Sequence, residues 1–549
     1  MARAATPAPH DTHIAVTTLT GGCHTSPVAS TRVATVDFRR AISMPSPSTQ
    51  PPHDSTPRCD GRFAPDPSTA ASIALCREAG ARLAAGDVEG AEMLIGPAVA
   101  ARPDDPNLLS VAGNCALARG LDDRARAFFE RSVARAPGFA APLLNLGFVH
   151  RRNHRIAEAR AALRRCLALA PADPAAWMNL TAAYVNEGEP EAGEAVAREA
   201  LARCPQSHAI RWNLALVLLE QGKWSEGWRE YRVRFDAGVV APPLYGPRRV
   251  LPSRLVSLDQ IRPGQTVVCR GEQGLGDEIL FAGMLGELLV DVRHRGAVPI
   301  IDCNPRLRSV FSATFDAEFL GDGVLSADHA RRSWMPPIDW IVPMGDLGAL
   351  YRHDPRLFPD RRGYLTVPAD AVAALRESLA SRARGRPLVG LAWSGGSPYT
   401  HSVYRQIPLR EWLPVLRQDA CFVSLQYRDC DEELRSVAAE HGIELVSLPD
   451  VVRHADYLHT FQLVEALDLV ITVPTSVVHV AGAIGKECWV VMHHRAAWRE
   501  CSADGGIPWY PRTHVRFVRG PDEPAWDAQI AAVATRLARG LDGRLAAPK

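Results

Sequence analysis

The chain has no apolar run approaching the roughly 18 residues that a membrane-spanning helix needs. Its N-terminus also lacks the continuous apolar core of a secretion signal. It has no C-x-x-C pair. The twelve cysteines are scattered, which argues against a zinc ribbon or a disulfide framework and reads as reduced thiols in a cytoplasmic protein. Charge of either sign is not in excess. A net charge of +1 gives no reason to expect nucleic acid or an anionic membrane surface as a partner. There is no Walker lysine and no G-x-G-x-x-G dinucleotide fingerprint. His493 and His494 have no acid or cysteine at ligand spacing, so no metal is expected.

What is present is length and apolar content. At 549 residues, 47% of them hydrophobic, the chain can build about three domains of roughly 150 residues each. Residues 1–70 are rich in Pro, Ser, Thr and Ala without a period, and are expected to be disordered.

Residues 72–235 repeat. Pro103, Pro137, Pro171 and Pro205 recur every 34 residues. Two series of small residues share the period: Ala79, Gly113, Gly147, Thr181 and Ala215, then Ala91, Ala125, Ala159, Gly193 and Gly227. Small residues at two fixed places let paired helices approach, and the proline closes each pair. The pattern resembles the tetratricopeptide repeat, with four full repeats and a partial fifth in a solenoid. Asn145, Asn179 and Asn213 keep the same period. They either line a groove for a peptide or pin helices within the array. Arg151, Arg152, Arg164 and Arg165 read as a solvated face. Trp224, Trp228 and Tyr231 form one helical stripe, expected to pack the last repeat onto the next domain. Residues 236–262 read as a linker.

Two α/β lobes are expected at 263–385 and 386–545, since strands there alternate with helices. In the first, a strand from Thr266 runs into GEQGLGDEILF. Gly271, Gly274 and Gly276 let the backbone approach a ligand. Asp277 reads as a general base facing a cleft or as an acidic helix cap, and Glu278 as a solvated helix residue. In the second lobe, strands are expected at Leu388–Trp393, Cys421–Gln426, the stretch IELVSLP and Leu469–Val473. Ser394, Gly395, Gly396 and Gln426 fall at strand ends facing one crevice. Arg405 is a diphosphate clamp or a surface charge. Pro474 ends the last strand, and Thr475 and Ser476 start a helix that Gly485 can close. Free amides at that start make an anion site at the sheet's carboxyl edge. His479, inside this helix, reads as a satisfied core histidine, and Lys486 as a complement to the helix dipole.

Taken together, the repeats, GEQGLGDEILF, VGLAWSGG, RQIPL, FVSLQ, DLVITVPTSVVHVAGAIGKECWV and PWYP resemble bacterial proteins that join tetratricopeptide repeats to a heptosyltransferase-like glycosyltransferase domain. The resemblance spans about residues 72–540. It implies an α-solenoid followed by a two-lobed GT-B α/β domain, a nucleotide-diphospho-sugar donor held between the lobes, and inverting transfer without a metal or other cofactor. It implies Asp277 as the base, with Thr475, Ser476 and His479 at the donor phosphates, Arg405 as the basic residue before I-P-L, and Gln426 near the base or ribose. Gly274, Gly276, Ser394 and Gly395 would line the donor site. The family has Asp where this chain has Pro474, so one carboxylate for the donor sugar is missing. The first lobe is short for an acceptor domain, and the repeats are expected to help hold a protein or glycan acceptor. The rival expectation is a repeat scaffold whose transferase domain has lost its chemistry. A dinucleotide-dependent oxidoreductase is disfavoured by the order of the glycines.

Overall fold

A computed structural model describes residues 67–240, 253–320, 337–395, 405–493, 498–499, 507–510, 514–519 and 525–542. Of the segment 1–70 expected to be disordered, residues 1–66 lie outside the described residues, as do linker residues 241–252 and Gly396; residues 67–70 correct that expectation, since they open the first helix.

The chain begins with five helical hairpins among the described residues. They are Pro67–Ala85 with Val88–Ala101 (α1, α2), Pro106–Ala118 with Asp122–Arg135 (α3, α4), Ala140–Arg152 with Ile156–Leu169 (α5, α6), Pro174–Glu187 with Pro190–Arg203 (α7, α8), and His208–Glu220 with Trp224–Tyr231 (α9, α10). Asp105 and Asp173 cap α3 and α7 by accepting from two backbone amides each, with proline next in line; proline's missing N–H costs nothing there. The small-residue series earns its period at the helix contacts. A Cβ on Gly147 would lie 2.5 Å from the Leu163 side chain.

The periodic asparagines are turned inward. Asn145 donates to Asn114 Oδ1 at 2.8 Å, and Asn213 donates to Thr181 Oγ1 at 2.8 Å. Asn179 donates to Ala175 O at 2.9 Å. All three are buried; Asn145 and Asn213 pin neighbouring repeats together, and Asn179 is spent within its own helix, so none offers its amide to a guest. The arginine face is corrected in part. The Arg151 guanidinium stacks on the Phe148 ring at 5.6 Å, and burial lowers its pKa to about 10.

Two parallel five-stranded sheets follow. The first has the order β1-β5-β2-β3-β4, formed by Ser253–Arg254, Trp340–Pro343, Thr266–Arg270, Val298–Asp302 and Glu318–Phe319. The second has the order β10-β9-β8-β6-β7, formed by His514–Arg519, Cys488–His493, Leu469–Thr472, Leu388–Ala392 and Cys421–Ser424. Three sequence expectations change here. Ser253 and Arg254, read as linker, form an edge strand. IELVSLP supplies one bridge, Val446 to Val423, and no strand. Cys488–His493 and His514–Arg519 pair in parallel as β9 and β10 and extend the second sheet.

Alternation sorts the strand side chains to two faces. Val389, Leu391, Leu469, Ile471 and Val491 face a core closed by Ile530, Val533 and Leu537 of the C-terminal helix, Asp527–Asp542. Leu388, Ala392, Val470, Val490 and Met492 face a second core, which runs without a break through the first lobe to Trp212, Trp228 and Tyr231 of the last hairpin.

That junction is aromatic. The Trp228 ring meets Trp498 edge-on at 5.4 Å and Tyr231 at 5.3 Å, and its indole N–H donates to Arg352 O at 2.9 Å. Trp224 packs on Phe358 at 4.9 Å. Behind the rings lies Arg234, fully buried. It donates to both Glu272 oxygens at 2.8 and 3.0 Å and to Asp346 at 2.9 Å.

Trp228→Ala is expected to lower stability by about 3–5 kcal/mol, read as a shift in the urea unfolding midpoint. Met93→Ala, at a side chain 67% exposed, is expected to stay within about 0.5 kcal/mol. Equal effects would mean that the junction adds little.

Candidate functional site

In each sheet the chain reverses its direction of travel beside one strand. The first sheet continues from β2 to β3 and later returns to β2's other side with β5; the second continues from β6 to β7 and returns with β8. Crevices at such reversals, outside the strands' carboxyl ends, are where open α/β sheets hold ligands. The loop after β2 is Gly271–Gly274, leading into helix α11 (Leu275–Ala282). The lobes' helices of seven or more residues continue as Leu285–His294 (α12), Arg308–Thr314 (α13), Ala369–Ala383 (α14), Asp431–His441 (α15) and Leu458–Ala466 (α16), and the loop after β8, Val473–Thr475, leads into the next, Ser476–Ile484 (α17).

α11 and α17 pack against each other. A Cβ on Gly276 would lie 2.7 Å from His479 Cδ2, so the first turn of one helix abuts the first turn of the other. The positive ends of two helix dipoles therefore converge. Gly276 leaves room for this approach. Gly271 likewise leaves room for the Glu278 carboxylate, which an added Cβ would meet at 2.4 Å. Gly274 is the N-cap of α11.

Asp277 is buried. Its Oδ2 accepts from the Gly274 amide at 3.1 Å, and its Oδ1 accepts from the Arg499 guanidinium. The cap role is thus filled. Each carboxylate oxygen has two lone pairs, so both bonds leave room for an incoming hydroxyl. Glu278 corrects the sequence reading. It is buried, not solvated, and accepts from the Asn304 amide at 2.8 Å. Burial raises its pKa to about 8, against a weaker lowering by the Asn304 N–H.

On the facing lobe, Thr475 caps α17 by accepting from Val477 N at 3.2 Å. Ser476 shares a 2.6 Å hydrogen bond with the Tyr457 hydroxyl. A Cβ on Gly395 would touch the Thr475 methyl at 2.3 Å, so the ends of β6 and β8 lie side by side. Gln426 fixes Ser394: its amide donates to Ser394 O at 2.8 Å and Oγ at 3.0 Å. Arg428, passed over in the sequence, also donates to Ser394 Oγ. Arg405 is joined to this edge through its carbonyl, which accepts from Gly395 N at 2.9 Å. His479 is buried with Nδ1 3.1 Å from the Tyr510 hydroxyl. Lys486 departs from its expected role. Its ammonium donates to the carbonyls of Glu465 and Leu467 at 3.0 and 2.8 Å, closing the end of a neighbouring helix.

The two lobes are also tied directly to each other. Arg306 donates to Ala455 O at 3.1 Å and lies 5.1 Å from the Tyr457 ring centre. The residues that sequence reasoning missed are Arg499, Gln273, Arg428 and Tyr457. None carries a local pattern; their partners are up to 226 positions away.

Family models described as tetratricopeptide repeat match residues 76–138 and 174–217, and the N-terminal hairpins are such repeats. The chain is similar to Protein FlbA of Caulobacter vibrioides, at 28% identity over 328 residues, covering 58% of this chain and 53% of that protein. It thus spans about half the length of this curated relative. Among solved structures it is similar to MamA, with TM-score 0.27 and 19% identity over 29% of this chain and 94% of that one. It is also similar to PilF of Pseudomonas aeruginosa, with TM-score 0.32 and 14% identity over 42% and 89%. A third is YrrB, titled a TPR protein with an unusual peptide-binding site, with TM-score 0.27 and 16% identity over 31% and 92%.

Glu278 sets a pH dependence. Its folded-state pKa is above the ordinary 4.5, so the folded state holds a proton that the unfolded state has already lost. Its contribution is full below about 4.5 and is lost as pH rises through about 8. Glu278→Gln removes this term. The stability of the variant minus that of the native chain, from urea unfolding at several pH values, is expected to rise between those limits and then level off. A flat difference would place the Glu278 carboxyl in water.

Proposed function

We propose that the chain is a glycosyltransferase that moves a sugar from a nucleotide-diphospho-sugar to an acceptor hydroxyl, with its repeats recruiting a protein partner or the acceptor. The observation that carries this reading is the convergence of α11 and α17. It brings a carboxylate, Asp277, and a helix start bearing Thr475 and Ser476 to one crevice between two parallel sheets. A two-lobed GT-B arrangement, with the donor between the lobes, suits that layout.

In this reading Asp277 takes the acceptor's proton. The amides at the start of α17, with Thr475, Ser476 and Arg405, stabilise the diphosphate as it leaves. Ser394, Gly395 and Gln426 shape the neighbouring wall, and Gly274 and Gly276 keep the opposite loop close. His479 acts by packing, since its ring separates the two helices. Tetratricopeptide repeats are protein-interaction modules, which favours a protein or peptide on the array. Recognition there falls to side chains other than the inward-turned asparagines. A second reading, a scaffold without transfer chemistry, is favoured by Arg499 sitting on Asp277 and by Pro474.

Asp277→Asn separates the two. Asparagine still accepts from the Gly274 amide but gives up the Arg499 ion pair, so folding of the variant is checked by its urea unfolding midpoint, while loss of a general base is expected to lower kcat by about 10²–10⁴. Native protein is expected to gain thermal stability with a sugar nucleotide and to consume it. No thermal response to any sugar nucleotide and no transfer would favour the scaffold; unchanged turnover in the variant would remove Asp277 from the base role.

A further inference from the structure

The loop that carries Asp277 contains a backbone outlier. Gln273 has φ of 67°, in the left-handed region that a residue with a Cβ adopts only at a cost. Such a conformation persists only where the surroundings hold it. Two hydrogen bonds hold this side chain. Its Nε2 donates to the Tyr231 hydroxyl at 2.6 Å, and its Oε1 accepts from Arg499 Nη2 at 3.0 Å. The same Arg499 donates through Nε to Asp277. One residue earlier, Glu272 is gripped by Arg234 and accepts from Gly345 N at 3.0 Å. Tyr231 ends α10 and Arg234 follows in the next turn. Both belong to the last repeat, yet both are spent on consecutive residues of the glycine loop.

We propose that Tyr231 and Arg234 are positioning residues that hold the Gly271–Gly276 loop, and through Gln273 and Arg499 the Asp277 carboxylate, in the geometry the crevice requires. The last repeat is then a component of the site, not a detachable recruitment arm. The catalytic consequence rests on the transferase reading; the restraint on the loop does not.

The test uses the full chain with Tyr231→Phe, which keeps the ring in its aromatic cluster and removes the hydroxyl. Tyr351→Phe is the control, because it removes a 2.8 Å hydrogen bond to Asp291 elsewhere in the same lobe. Loss of one such bond corresponds to about tenfold. Amide hydrogen exchange over residues 271–277 is expected to quicken about tenfold in Tyr231→Phe and to stay at the native rate in Tyr351→Phe. With a sugar nucleotide that the native protein turns over, kcat is expected to fall about tenfold while KM for the donor stays within twofold. Native exchange rates in Tyr231→Phe, or loosened exchange with unchanged kcat, would overturn the proposal. If the native protein turns over no sugar nucleotide, the transferase reading fails, and the exchange comparison alone decides whether the loop is held from the repeats.

Discussion

A guanidinium without solvent contact organises the centre of this molecule. Arg234 leaves the repeat array and enters a pocket that offers two carboxylates, Glu272 and Asp346. Taking three charges out of water costs several kcal/mol per ion unless each finds partners. The two acids share the cation unequally. Burial opposes ionisation of both. For Asp346 the arginines outweigh it, Arg234 first and then Arg254 and Arg232, and its pKa lies below the usual carboxylate range. Glu272 has Arg234 and the Gly345 amide to set against burial and the nearby Asp346 charge, and its pKa lies above that range. The geometry of the glycine loop, the seating of the aromatic rings and the packing of the array's end all presuppose that this cluster is closed.

From that cluster the chain of constraint runs outward. Glu272 sets the first residue of the loop after Gly271, Gln273 takes its strained backbone, and α11 begins two residues later, after its cap Gly274. α11 then lies on α17, where Gly276 accepts the His479 ring. Two helix starts that would repel one another through their dipoles are brought together by the shared apolar core behind them. Asp277, in the first turn of α11, offsets part of that unfavourable field, whereas Glu278, which keeps its proton up to about pH 8, adds no charge there below that pH. Both are buried, but Asp277 accepts from Gly274 and Arg499 while Glu278 accepts from Asn304. Adjacent residues of a helix point about 100° apart, which is enough to give the two carboxylates separate partners here.

Much of this was legible in the chain. The 34-residue period marked the hairpins because each contact between paired helices demands a small residue at the same step. β8, its proline and α17 were legible because an apolar β-branched run, a breaker, two hydroxyl residues and a closing glycine follow one another in order. What escaped has physical reasons. β10 carries arginines at Arg516 and Arg519 between apolar residues, the pattern of an edge strand that resembles a loop. IELVSLP has the composition of a strand, but pairing with the sheet is confined to Val446. Glu278 looked solvated because a carboxylate at a helix start normally is. Its burial follows from Gly271 and Asn304 closing over it, and no local signal announces that. The asparagine series was read correctly as periodic, yet its direction depends on neighbours one repeat away.

The junction described above draws on the last hairpin, while each earlier hairpin leans on the next. An array built this way can be lengthened or shortened at its far end by whole 34-residue steps, and nothing near the crevice needs to be rebuilt. Evolution could therefore adjust the reach and the clientele of such a molecule through duplication, while the final hairpin stays locked to the α/β lobes and travels with them as a single inherited block.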